Sequence, residues 1–196
     1  LHAPYIVGGP TMFVQEANGD FAVAAGTLSF DGLTGPDALR KLLAEASPPT
    51  FDWSRLAGQF ALILHRAGST FVATDFFAAF QLYHNTDHSL FSTSFLAAAS
   101  VLPRVTFDPQ GLYEYAIQAS VLGDDTVLSE LKRLGPNTVI ELREHDTQVH
   151  TVAKNLPVET TNVSTAERLE VHADLLRRVV GEQASHFGNT IQCPLS

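Results

Sequence analysis

Cysteine is almost missing. Cys193 stands alone among 196 residues, so no disulfide within the chain can staple the fold. A reducing compartment, and hence a cytoplasmic location, is the expectation. Positive charge is scarce as well: 12 Lys and Arg face 21 Asp and Glu, for a formal net charge of −9. No basic stripe gathers on any segment, so nucleic acid is not expected as a main partner. No apolar run approaches the ~20 residues that span a bilayer. No charged-then-apolar secretory signal follows Leu1, and no membrane partner is expected. What remains is a chain that is 45% hydrophobic and 17% charged. That composition suits a soluble globular protein of one sizeable domain, or one domain and a fragment of a second.

The most informative stretch is residues 56–95. Four short runs rich in β-branched, aromatic and aliphatic residues are separated by Ala67-Gly68-Ser69, by residues 76–80 and by Asn85-Thr86-Asp87. The spacing predicts an antiparallel meander with tight turns. Residues 60–64 are apolar without alternation, so this strand is expected to be covered on both faces. Upstream, Asn18-Gly19 between apolar runs at 12–17 and 21–25 is a hairpin signal. A short apolar strand is expected at 4–9, and residues 26–35 read as loop. Pro36 stands at a first helical position, with Leu39, Leu42, Leu43 and Ala46 as the stripe and Pro48-Pro49 as the stop.

Downstream, residues 94–102 read as a short helix. Asp108-Pro109 then opens another, whose expected buried face is Leu112, Tyr115, Ala116, Ala119 and Leu122, with Gly123 as the stop. Strands are expected at 138–142 and about 148–152. Residues 153–163 lack periodicity and read as a linker. Ser164 to Glu167 is a capping box, opening a helix to about Ser185 with a stripe of Leu169, Ala173, Leu176 and Val180. Gly188 stops it, and a short strand runs into Leu195-Ser196.

The order of these pieces resembles the class II glutamine amidotransferase domain, the N-terminal half of asparagine synthetases. The pattern there is Leu-x-Gly-x-Phe-Ala, a strand, Arg-Asp, a short loop, Pro-Leu-Tyr, and a strand ending Phe-Ser-Ser-Glu. Leu56, Gly58, Phe60, Ala61, Asp75, Leu82, Tyr83, Phe91, Ser92 and Ser94 stand in the matching places, while Thr74, Gln81 and Phe95 depart from it. Residues 134–142 resemble the Leu-x-Pro-Gly and strand that close the domain. The resemblance covers residues 26–152. It implies an α+β fold, a four-layer αββα sandwich of two mostly antiparallel sheets, with Phe60, Leu62 and Leu64 deep inside. It further implies a C-terminal helix and strand leading into an α/β ATP-pyrophosphatase-type domain. The chain would then divide into an amidotransferase-like domain at 1–152, the linker, and the start of the ATP-binding domain at 164–196. Leu195 and Ser196 match the opening of the pyrophosphate-binding loop, so the resemblance assigns them to cofactor binding, with ATP and Mg²⁺ held mainly by the rest of that domain.

Class II amidotransferases use an N-terminal cysteine whose thiolate attacks the glutamine amide, its own α-amino group relaying the proton. Leu1 offers no nucleophile, and Thr11 is internal. The family's Asn-Gly-Glu pocket loop aligns near Gly26-Thr27-Leu28, without its polar groups. The expectation is a glutaminase fold without glutaminase activity, and no catalytic residue is assigned. Relatives lacking the cysteine, such as β-lactam synthetases and lasso peptide cyclases, adenylate a carboxylate with ATP and let an amine attack it. The resemblance therefore implies the N-terminal portion of an ATP-dependent amide-forming enzyme. Its partners would be a synthetase domain, on this chain or a second one, and a small-molecule or peptide carboxylate. Two alternatives stand beside it: an asparagine synthetase proper whose cysteine is missing from this sequence, and a non-catalytic binding or assembly module.

The other candidates have plainer readings. His84 and His88 have a ligand-like spacing, but they flank a turn with no further clustered ligands, so no metal site is assigned. His65, Asp75, Ser92 and Ser94 contain the residue types of a triad, yet serines after a strand more often cap the next helix. The aromatic set Phe71, Phe76, Phe77, Phe80, Tyr83, Phe91 and Phe95 reads as core. Cys193 reads as a packing residue.

Overall fold

The computed structural model describes residues 12–153 and 164–186. The expectations for residues 1–11, for the linker at 154–163, and for Gly188, Cys193, Leu195 and Ser196 fall outside the described residues. Within them the protein is a mixed α+β fold with antiparallel sheets.

The main sheet has six strands. They are β1 (Phe13–Gln15), β2 (Phe21–Gly26), β6 (Phe60–Arg66), β7 (Ser69–Thr74), β11 (Thr138–Leu142) and β12 (Thr147–Thr151), in the order β1-β2-β6-β7-β11-β12. The Asn18-Gly19 turn joins β1 to β2 in the register Phe13↔Val23, and Ala67-Gly68 joins β6 to β7 in the register Ala61↔Thr74. Strand β6 lies inside the sheet, between β2 and β7. Its even positions, Phe60, Leu62 and Leu64, are buried with Leu39, Leu42 and Leu43 of helix α1 (Gly35–Glu45). Its odd positions, Ala61 and Ile63, pack on the opposite face with Val72, Ile140, Leu82 and Leu134. A strand covered on both faces carries no polar alternation, which is the pattern residues 60–64 show.

Two smaller sheets flank it among the described residues: β4 (Leu33–Thr34), β3 (Ser29–Phe30) and β5 (Leu56–Ala57) in the order β4-β3-β5, and β10 (Leu131–Arg133), β8 (Tyr83–Asn85) and β9 (Phe91–Ser92) in the order β10-β8-β9. Residues 26–35 are thus not loop alone: they contribute β3 and β4, too short to show a period of two. Nor is residues 56–95 one meander. Strand β7 takes β11 as its second neighbour, and the chain leaves the main sheet at Asp75 to form β8 and β9 elsewhere. Helix α2 (Phe95–Val101) covers the β10-β8-β9 sheet through Ala98 and Phe95, against Leu131, Leu128 and Tyr83.

Helix α3 (Pro109–Gln118) begins where the sequence predicts. The Asp108 carboxylate accepts from the Gly111 amide at 2.7 Å. It ends earlier, at Ala119 in the left-handed region, rather than at Gly123. Its expected buried face is also wrong: Leu112, Tyr115 and Leu122 are exposed, and Gly111 is the helix's buried position. The helix approaches the body at Gly111, where an added Cβ would stand 2.4 Å from the Thr126 carbonyl oxygen. Helix α4 (Thr165–His186) opens on the expected capping box. Ser164 Oγ accepts from the Glu167 amide and Glu167 Oε2 accepts from the Ser164 amide. Its Leu169, Leu176 and Val180 are exposed.

Candidate functional site

The segment expected to hold a glutamine pocket loop is clasped shut. Gly26 and Gly58 lie back to back at the end of β2 and the approach to β6, with φ of 101° and 99°. A Cβ on Gly26 would stand 2.1 Å from the Gln59 carbonyl oxygen, and one on Gly58 would stand 1.9 Å from that of Thr27. Only glycine fits where two backbones approach this closely with positive φ. The Thr27 amide donates to the Gln59 carbonyl at 2.7 Å, and the Gln59 amide donates to Thr27 Oγ1 at 3.1 Å. Leu28 is buried in the core, and Phe80 packs against Gly26. The hydroxyl of Thr27 is therefore spent on backbone, and no acid or amide side chain stands where the family pattern has Asn-Gly-Glu.

Beside the clasp, Asp75 organises the exit from β7. Its buried carboxylate accepts from the amides of Phe77 and Ala79 at 3.0 Å, Phe80 at 2.8 Å and Phe60 at 3.3 Å. One side chain thus ties residues 76–80 to the start of the central strand, with Ala78 at φ 52°. The family's Arg-Asp position carries a loop anchor here. Phe77 stands outside the loop, 70% exposed, its ring edge-on to Phe76 at 5.0 Å. It is not the core residue the sequence suggests, because the loop is too short to fold both phenylalanines under itself.

Between this loop and the corner at Leu134-Gly135-Pro136 lies a small recess of about 150 Å³. Leu134 is held by its amide donating to the Leu82 carbonyl at 2.8 Å. Two segments read separately in the sequence, the loop after Asp75 and the Leu-Gly-Pro run, thus form opposite walls of one hollow. Its charged residues, Asp124 and Arg133, escaped the sequence reading because neither sits in a motif.

No protein-family model and no curated protein matches the chain. Among solved structures, a glutamine phosphoribosylpyrophosphate amidotransferase from B. subtilis complexed with ADP and GMP is similar at a TM-score of 0.45 and 10% identity, over 79% of this chain and 35% of that one. A structure of the allosteric regulatory enzyme of purine biosynthesis is similar at 0.39 and 9%, over 76% and 33%. The chain spans about a third of the length of either.

The remaining sequence candidates do not assemble. His65 hydrogen-bonds Thr70 at 2.8 Å and stacks on Phe21 at 5.1 Å. It lies on the order of 15 Å along the hairpin from Asp75, at ~3.3 Å per residue. Ser92 and Ser94 bond one another's loop, and Ser94 Oγ accepts from the Ala97 amide to cap α2. No triad forms. His84 and His88 do meet, as stacked rings 4.8 Å apart. His84 is buried and donates from Nδ1 to the Asn85 carbonyl at 2.9 Å. Burial pushes its pKa below the ordinary histidine value. Among the described residues no group of three or more His, Cys, Asp or Glu could hold a metal ion, and no helix is long and apolar enough to cross a membrane.

Proposed function

We propose that this chain is the glutaminase-fold portion of an ATP-dependent amide-forming enzyme of the asparagine synthetase type, and that this portion does not hydrolyse glutamine. The four-layer αββα arrangement belongs to the same reading. The observation that supports it is the Gly26–Gly58 clasp. Gly58, Phe60 and Asp75, which match the signature, adjoin residues 26–28, where the resemblance aligns the pocket loop; there Thr27 is bonded to Gln59 and Leu28 is buried. A domain that kept this junction and closed the pocket fits a branch in which the amine comes from the substrate.

This reading assigns ATP and Mg²⁺ mainly to the remainder of the enzyme: among the described residues no group of three or more His, Cys, Asp or Glu could hold a metal ion, and Leu195 and Ser196 lie outside them. No step through the nucleotide is derived. The test has two parts. Incubation of the protein with glutamine is expected to release no glutamate above a buffer blank, and turnover would overturn the inactive-glutaminase reading. The full-length protein is expected to catalyse ATP–pyrophosphate exchange that depends on an added carboxylate. Silence with a broad carboxylate panel would leave the assembly module. One observation favours that second reading: Leu96, Phe107, Tyr113, Ile117 and Leu122 are all exposed on and around α2 and α3. Exposed apolar surface commonly marks a contact with another protein body where it is contiguous.

A further inference from the structure

We propose that the recess between the loop after Asp75 and the Leu134-Gly135-Pro136 corner binds a free α-amino acid with an aliphatic side chain. This rests on the lining of the recess and is independent of the enzymatic reading above.

Arg133 and Asp124 both line the recess. The Arg133 amide donates to the Asp124 carbonyl at 2.7 Å, so their backbones are fixed to one another. Their side chains are not paired: among the described residues no cation lies within ion-pair distance of the Asp124 carboxylate. That carboxylate lies over Gly135, both oxygens 2.8 Å from where a Cβ would stand. A side chain at 135 would displace the acid from the wall.

The Arg133 guanidinium is half used. Its Nη2 donates to the carbonyls of Val121 and Gly123 at 2.5 Å each. Its Nε is buried without a hydrogen-bond partner, and Nη1 has no acceptor among the described residues. A partly buried guanidinium with unspent donors gains from an anion, because hydrogen bonds to charged partners are the strong ones and an unmade buried bond is costly.

The two charges together select the ligand. A lone anion that reaches Arg133 is repelled by Asp124, and a lone cation meets the reverse. A zwitterion offers a carboxylate to one and an ammonium to the other on a single carbon atom. Discrimination by the repulsive partner is how such a site excludes simple ions. Beside these two charges the lining holds one more polar side chain, Gln81, and the apolar side chains of Phe77, Ala78, Leu134 and Pro136. Phe77 stands at the rim, and Leu134 and Pro136 form the far side. These surfaces suit an aliphatic side chain. The rim is also preorganised, since the Asp75 carboxylate fixes the backbone of the loop that carries Phe77.

The probe is L-leucine, titrated into the chain while amide and arginine Nε–H signals are followed by NMR. Leucine is expected to shift the signals of Arg133, Gly135 and Phe77 saturably. N-acetyl-leucine, which lacks the cation, and leucinamide, which lacks the anion, are each expected to bind at least about tenfold more weakly, ~1.4 kcal/mol. Asp124→Asn is the cleaner variant, because its side chain is exposed and holds no structural bond. It is expected to keep the wild-type spectrum elsewhere and lose leucine affinity by a similar factor; Arg133→Gln is expected to lose that affinity too, with added shifts at Val121 and Gly123, whose carbonyls lose their donor. No shift with leucine overturns the proposal. So does equal binding of N-acetyl-leucine, which would reduce the recess to an anion site, or unchanged binding by Asp124→Asn.

Discussion

Asp75 shows how much one side chain can fix. It is buried in a strand end, a costly place for a carboxylate, and is tolerated because four backbone amides point at it. Alanine at 75 would leave those amides without their acceptor. Hydrogen bonds to a charged group are worth about 1.5–3 kcal/mol net, and orphaned buried donors add to the loss. Asp75→Ala is expected to lower stability by on the order of 2–4 kcal/mol, measured as a shift of the urea midpoint at constant m. Asp75→Asn, which keeps an acceptor oxygen, is expected to lose about half of that. Equal losses in the two variants would mean that volume, not the acceptor, is what the site requires.

Among elements, α1 and α3 make an instructive pair, because the sequence shows an apolar stripe on both. Leu39, Leu42 and Leu43 of α1 are buried against the main sheet, whereas Leu112 and Tyr115 of the expected α3 stripe are exposed, as is Ile117 beside them. Leu42→Ala is therefore expected to cost about 2–5 kcal/mol through lost transfer energy and the cavity left behind. Ile117→Ala, at a position 68% exposed, is expected to stay within about 0.5 kcal/mol of wild type. Thermal or chemical unfolding of both variants decides the matter. A large loss at Ile117 would show that α3 is packed in solution.

Across the whole molecule, the net charge of −9 and the carboxylates whose pKa folding lowers, Glu141 among them, shape the response to pH. Glu141 lies in β11 with its side chain 5% exposed. The Arg143 guanidinium beside it at 2.7 Å holds its carboxyl down to about 2, with His150 at 2.9 Å and Ser69 adding, against the opposing effect of burial. An unfolded glutamate titrates near ~4.3. The folded pKa is the lower one, so the stabilisation is complete above about pH 4.3 and is lost as pH falls from there towards about 2. Urea midpoints between pH 2 and 6 are expected to fall more steeply for wild type than for Glu141→Gln. Parallel curves would assign the acid sensitivity to other groups.

By itself the sequence determined the parts with a strong local cause. Asn18-Gly19, Pro36, Asp108-Pro109 and the Ser164–Glu167 box set turns and helix starts through their own backbone and side-chain chemistry. The unbroken apolar run at 60–64 announced a strand covered on both faces. Glycine at 58 was legible as a motif, although its reason, the Thr27 carbonyl 1.9 Å from a would-be Cβ, belongs to a segment 31 residues away. Tertiary structure alone decided the rest. An apolar stripe reveals that a helix can be buried but not what is there to bury it, so α1 and α3 look alike until the sheet is in place. Charge placement is likewise non-local. Asp124 and Arg133 carry no motif, and they face one recess only because β10 and the Leu134-Gly135-Pro136 corner come to rest beside the loop that Asp75 pins.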